Sequence, residues 1–320
     1  MSFLSNLTPH NLQEEKAKFF ADVTYNPQFV YQNPVDPTEL NKYGLPRPEH
    51  LKIAEKILNQ TITLYDHTKL KLLQGRVLTD QEVKDTIENF LALHNLEKRF
   101  SVTYSASFIS RTSATSDQLK IRLPMEYRRR SLQGMLYHEI GTHALRRVNY
   151  ELQPWYRRKN QLGFSEYLET EEGLATLHSR LPHKYKAAVS QALHYVSIST
   201  ALNHSFSEVW HTIRPYSESF DQCWVLTLRA KRGLTDTARP GAFTKDILYL
   251  DGMIRVWNWL KQRDFDCTEL YFGKMDVSDV QKAVDMHPEF IPQLPFFFTK
   301  DRAKYQTGMM EIGRVNGLVE

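Results

Sequence analysis

His138-Glu139-Ile140-Gly141-Thr142-His143 is the stretch on which the reading of this chain turns, because two histidines flank a glutamate. The common zinc-protease helix carries His-Glu-x-x-His. Its histidines lie about 40° apart around an α-helix, so both imidazoles reach one ion. Here the histidines are five positions apart. On a regular α-helix that separation is about 140°, and no single ion is shared. The stretch binds metal only where the helix is locally widened. A π-bulge adds one residue to a turn and is frequent at functional sites. Gly141 between the histidines tolerates altered backbone angles. The spacing therefore predicts a bulge near 140–142 that returns His138 and His143 to one face.

Glu139 follows the first histidine, where a carboxylate is placed to take a proton from the water at a catalytic zinc. Such a zinc has three protein ligands, so one more is required. Thr170-Glu171-Glu172-Gly173-Leu174-Ala175 supplies candidates in a segment that reads as a helix over 165–180. Spacing leaves Glu171 and Glu172 both open. The other histidines, His178, His183, His194, His204 and His211 among them, read as core or surface residues. One of the last three remains available to stabilise a transition state.

These motifs resemble the microtubule-associated tyrosine carboxypeptidases and their bacterial relatives with a Gln-Glu-Gly-Leu-Ala motif. The resemblance extends beyond the metal motif. Glu14-Glu15-Lys16-Ala17-Lys18-Phe19-Phe20 with Tyr25-Asn26-Pro27 is similar to the family's N-terminal segment. Lys231-Arg232-Gly233-Leu234-Thr235-Asp236-Thr237, Pro240-Gly241 and Phe243-Thr244-Lys245-Asp246 are similar to a downstream block. The resemblance implies a zinc carboxypeptidase that prefers a C-terminal tyrosine and, in animals, acts on the acidic tail of α-tubulin. Carried over by motif, it implies His138, His143 and Glu172 as ligands of one Zn2+ and Glu139 as general base. A carboxypeptidase must also hold a free α-carboxylate, for which Arg or Lys is the expected partner. Lys231, Arg232 and Lys245 are the substrate-binding candidates, with Arg232 or Lys245 as the anchor. Tyr249, one helical turn beyond Lys245, is the candidate to stabilise the oxyanion.

Composition bounds the rest. The chain has 320 residues with 41% hydrophobic content, enough for a sizeable core. Two cysteines, Cys223 and Cys267, are too few for a disulfide framework and point to a reducing compartment. No apolar run is long enough to span a bilayer, so no membrane is expected as partner. The first six residues lack the charged start and apolar core of a signal peptide, and the expected address is the cytoplasm. The net charge of +4 is unevenly spread: residues 111–160 hold eleven Lys/Arg against four Asp/Glu. Arg128-Arg129-Arg130, Arg146-Arg147 and Arg157-Arg158-Lys159 form the clusters. A basic rim concentrates an acidic peptide tail. Nucleic acid is not the expected partner, since no nucleic-acid motif accompanies the charge.

Periodicity predicts helices over 11–20, 51–74, 79–96, 127–148, 165–180, 182–202, 206–228 and 246–262, and a short one at the C-terminus. Residues 102–123 read as two or three strands, with 118–123 as an edge beside the metal helix. The expected class is α+β, mostly helical, with a zincin-like metalloprotease core and a small sheet beside the metal-binding helix. It is read as a single catalytic domain over 1–320, with an N-terminal arm and helical lobe (1–100) and a zincin-like core and substrate-binding lobe (101–320). The competing readings are a zinc endopeptidase or aminopeptidase of other specificity, and a non-catalytic basic binding protein.

Overall fold

The computed structural model describes residues 6–33, 35–108, 112–115 and 117–319, and at residue 37 the backbone alone. The reading of residues 1–5 against a signal peptide lies outside the described residues. So do Pro34 of the extended arm, and residues 109–111 and 116 of the strand region and basic stretch. The chain forms two compact units, each made of two segments: 1–67 with 188–250, and 68–187 with 251–320.

The first unit is helical. Pro48 opens the helix Pro48–Leu64, a first-turn position where a missing N–H costs nothing. That helix buries Ala54, Ile57 and Leu58 and packs along the helix Val189–Ala201. The helix expected over 51–74 ends at Leu64 and resumes only as His67–Leu73. The helix expected over 206–228 is also broken. Phe206–Ile213 starts at a Ser205/Glu208 capping box, and Pro215 then falls in a 3-10 turn, Arg214–Tyr216. Proline lacks the N–H that an α-helix interior needs, so the chain restarts as Phe220–Lys231 behind a Ser219 cap. The N-terminal helix Leu12–Ala21 is anchored by Phe19, whose ring meets Phe206 and Trp210 at 5.1 and 5.6 Å.

The second unit holds the sheet. Helix α1 (Asp80–Ala92) begins at a Thr79/Glu82 capping box. Strands β1 (Ser101–Ser105), β2 (Thr112–Ala114) and β3 (Gln118–Arg122) follow in the spatial order β1-β3-β2. β3 runs parallel to β1, pairing Ser101 with Gln118, and antiparallel to β2, pairing Ala114 with Leu119. The segment expected at the edge is thus the centre: Leu119 and Ile121 are fully buried, and the short β2 forms the edge. A composite helix comes next: α2 (Arg129–His138), a π-helical stretch Glu139–Ala144, and α3 (Leu145–Glu151). Helix α4 (Leu168–Arg180) carries the two glutamates. Helix α5 (Leu248–Lys261) enters this unit at Asp251.

The C-terminal helix α6 (Arg302–Val315) has 14 residues rather than the short element expected. Tyr305, Met309 and Ile312 give it a buried stripe at helical spacing, and Trp257 Nε1 donates to the Met309 carbonyl at 2.8 Å. The molecule is mostly helical with one small sheet, which is the α+β class.

Candidate functional site

The five-residue spacing of the histidines is resolved by the π-helical stretch Glu139–Ala144. A widened turn disturbs the regular hydrogen-bond ladder, and neighbouring groups satisfy it. Thr142 Oγ1 donates to the Tyr137 carbonyl at 2.8 Å and also meets His178 Nδ1 at 2.8 Å. The Tyr271 hydroxyl donates to the Gly141 carbonyl at 2.5 Å. Gly141 does not have a positive φ, so the left-handed freedom of a glycine is not what this turn uses. A Cβ there would lie 2.6 Å from the Phe297 ring, and the glycine instead makes room for that ring.

With the turn widened, His138 Nε2 and His143 Nε2 lie 3.1 Å apart. Glu172 Oε2 is 3.7 Å from the first and 3.6 Å from the second. Ligand atoms at about 2.0–2.1 Å from a tetrahedral ion are separated by about 3.3–3.4 Å. The observed edges bracket that value, so the spacing of these three donors would suit a zinc-like ion.

Helix α4 brings its glutamates to the histidines by close approach. A Cβ on Gly173 would lie 2.2 Å from the Gly252 carbonyl carbon, so the backbones of α4 and α5 touch there. The two carboxylates then take different neighbours. Glu172 faces both Nε2 atoms, whereas Glu171 Oε1 accepts from His143 Nδ1 at 2.8 Å. Metal-binding histidines usually have their second nitrogen held in this way. Glu171 also receives Lys274 Nζ at 2.7 Å and pairs with Arg146. Arg146 is fully buried and donates to the carbonyls of Leu270, Gly273 and Met275. It is no part of a basic rim.

Burial pushes the Glu171 carboxyl up, but Lys274 and Arg146 outweigh it and hold the group well below its usual range. Burial likewise opposes charge on His143, yet its hydrogen bonds to Glu171 and Glu172 raise it to about 10. His138 is lowered, first by burial and then by the charge of His143. Glu139 is half-buried, and its Oε2 accepts the Ala114 N–H of the edge strand at 3.1 Å.

The structure thus gathers His138, His143, Glu172 and Glu139 in the second unit. Lys231, Arg232, Lys245 and Tyr249 belong to the first. Lys231 is fully buried and donates to the carbonyls of Ala201 at 3.1 Å, Arg239 at 2.8 Å, and His204. Arg232 stacks on Phe243 at 4.8 Å and faces Asp246 at 3.9 Å. Lys245 and Tyr249 are half-buried. Sequence reasoning missed the roles of Glu171, Arg146, Lys274 and Tyr271 around the cluster. The doubled glutamate was a signal for the first; nothing local marks the others.

Comparison with known proteins places the chain in a family. The family model described as microtubule-associated tyrosine carboxypeptidase matches residues 21–310. Microtubule-associated tyrosine carboxypeptidase 1 of Mus musculus is 32% identical over 324 residues, covering 98% of this chain and 68% of that protein. Its Homo sapiens counterpart is 34% identical over 328 residues, again covering 98% of this chain and 68% of its own length. The chain belongs to the microtubule-associated tyrosine carboxypeptidase family.

Proposed function

We propose that this chain is a zinc-dependent carboxypeptidase with a zincin-like core that removes a C-terminal tyrosine from a protein or peptide tail. One observation carries the reading: two imidazole nitrogens and a carboxylate oxygen converge at 3.1, 3.6 and 3.7 Å beside a further glutamate. The names of the relatives support the tyrosine preference. In a eukaryotic host the substrate is the acidic α-tubulin tail, and the matching relatives are named for their microtubule association. The cytoplasm follows as the address from that substrate. Among the described residues, no helix is long and apolar enough to cross a membrane.

His138, His143 and Glu172 would hold the ion, with Glu171 fixing the tautomer of His143. A bound zinc polarises a scissile carbonyl and makes water acidic enough to lose a proton near neutral pH. Glu139 takes that proton on its carboxylate and gives it to the leaving tyrosine amine. The Ala114 N–H orients Glu139 from the edge strand, and a sheet edge is the kind of element that pairs with an extended peptide backbone.

The test is mass spectrometry of an acidic peptide ending in tyrosine, beside the same peptide with a C-terminal amide. Loss of a single tyrosine from the free acid alone is expected, and a metal chelator should abolish it. Internal cleavage of both peptides would instead support the endopeptidase reading.

A further inference from the structure

A cleft of about 370 Å³ opens against His138 and is lined by Ser131, Gly134, Met135, Arg180 and His183 among others, all in the second unit. The volume is at the low end for small-molecule sites, room for one amino-acid residue rather than a folded partner. Of its described lining residues, Arg180 alone carries a permanent charge, and none is acidic.

Arg180 is half-buried in the cleft wall and has no carboxylate partner among the described residues. Its donors reach neutral acceptors there: Ser179 Oγ at 3.3 Å, the Ala187 carbonyl at 3.5 Å and His183 Nε2 at 3.3 Å. Burial lowers its pKa to about 10, which leaves it cationic at neutral pH. His183 cannot serve as counter-charge. Burial, followed by the charges of Arg180, Lys186 and Arg130, brings it down to about 2, so it stays neutral. The described lining of the cleft is therefore positive.

The cleft runs along the metal-ligand helix, which contributes Ser131, Gly134, Met135 and His138 to its wall. His183 Nε2 lies 2.8 Å from where a Cβ would stand on Gly134. Gly134 is one helical turn, about 6 Å, before His138. Arg180 and His138 line the same cleft, so a substrate residue that fills it meets both the metal ligand and the guanidinium. A side chain larger than glycine at 134 would also collide with the Ser179 carbonyl at 2.6 Å. Met135 offers thioether surface, which favours contact with an aromatic ring.

We propose that this cleft receives the substrate's terminal residue and that Arg180 pairs with its α-carboxylate. The assignment rests on the carboxypeptidase reading and names the group that makes the enzyme an exopeptidase. Arg232 and Lys231 are less suited, since Asp246 and three carbonyls already engage them.

The test is equilibrium binding of an acidic tyrosine-ending peptide, as free acid and as amide, to zinc-loaded protein carrying Glu139→Gln so that the peptide persists. The free acid should bind more tightly, and adding Arg180→Gln should erase about 10- to 100-fold of that preference, the worth of a charged hydrogen bond. Arg180→Lys should restore part of it, because a lysine keeps the charge without the fork. Met135→Glu, which puts a competing carboxylate in the same cleft and leaves Arg180 intact, should erase the preference as well. It decides the matter if neither Arg180 variant keeps its thermal midpoint. A free-acid preference unchanged in the variants that fold would overturn the assignment, and so would its absence from the starting protein. Removal of tyrosine by the wild type is read separately, so failure of the carboxypeptidase reading is distinguishable from failure of the subsite.

Discussion

Glu171 and Glu172, adjacent in sequence, address opposite nitrogens of His143. The difference makes their substitutions separable. Glu172→Gln weakens an ion ligand and is expected to lose metal while the thermal midpoint of the metal-free protein holds. Glu171→Gln removes the charge that Arg146 and Lys274 face in a buried setting. Breaking such a pair from one side costs about 3–5 kcal/mol. Releasing the second nitrogen of His143 should weaken metal binding about 10- to 100-fold. Differential scanning calorimetry and metal titration read both. Equal thermal midpoints for the two metal-free variants would contradict the division of roles. The sequence could offer both glutamates but not choose on spacing, because on one helix the two differ only in direction, and the direction depends on where α5 presses against Gly173.

At the scale of elements, the π-helical stretch was legible because a ligand pair five residues apart demands it. What stabilises the stretch was not legible. Tyr271 and Phe297 come from more than a hundred residues away, and Thr142 reads as an ordinary helix residue until Tyr137 and His178 are seen beside it. Helix breaks followed the same division. The helix starts expected at 79 and 206 fall at capping boxes that the structure shows at Thr79 and Ser205, whereas the stop at Pro215 was overlooked in favour of apolar periodicity. The strand region was read correctly as strands, but its centre was mistaken for its edge, since alternation in 118–122 says that one face is buried and not how many neighbours a strand has. The contact between α4 and α5 gives a prediction at this scale. Gly173→Ala sets a methyl 2.2 Å from the Gly252 carbonyl carbon and must push the helices apart. The expected outcome is about 1–3 kcal/mol of lost stability with weaker metal binding, because Glu172 moves with its helix. Full stability on chemical denaturation would contradict it.

For the whole molecule, the mostly helical class was readable from periodicity. The interleaving of segments 1–67 and 188–250 was not, since it depends on contacts between distant stretches such as Phe19 with Phe206. Acid stability is a property at this scale. Burial, chiefly, holds His178 near 3 and His194 near 4, and His183 lower still, against about 6.5 in an unfolded chain. Between those values the unfolded chain binds protons that the folded one refuses, so stability falls as pH drops below about 6.5. His143, raised to about 10, contributes its slope only above 6.5 and leaves this window untouched. The thermal midpoint should therefore decline from pH 7 towards pH 4.5; a flat or rising midpoint would show that these histidines are free to charge in the fold.

The central claim is a three-ligand zinc centre served by Glu139, and it is tested most directly by measuring zinc content and tyrosine release on the same preparations of the wild type and Glu139→Gln. The expected result is equal zinc in both, release by the wild type, and a fall of about 10²- to 10⁴-fold in the variant. Undiminished release by Glu139→Gln, or release by protein stripped of metal, would contradict the account.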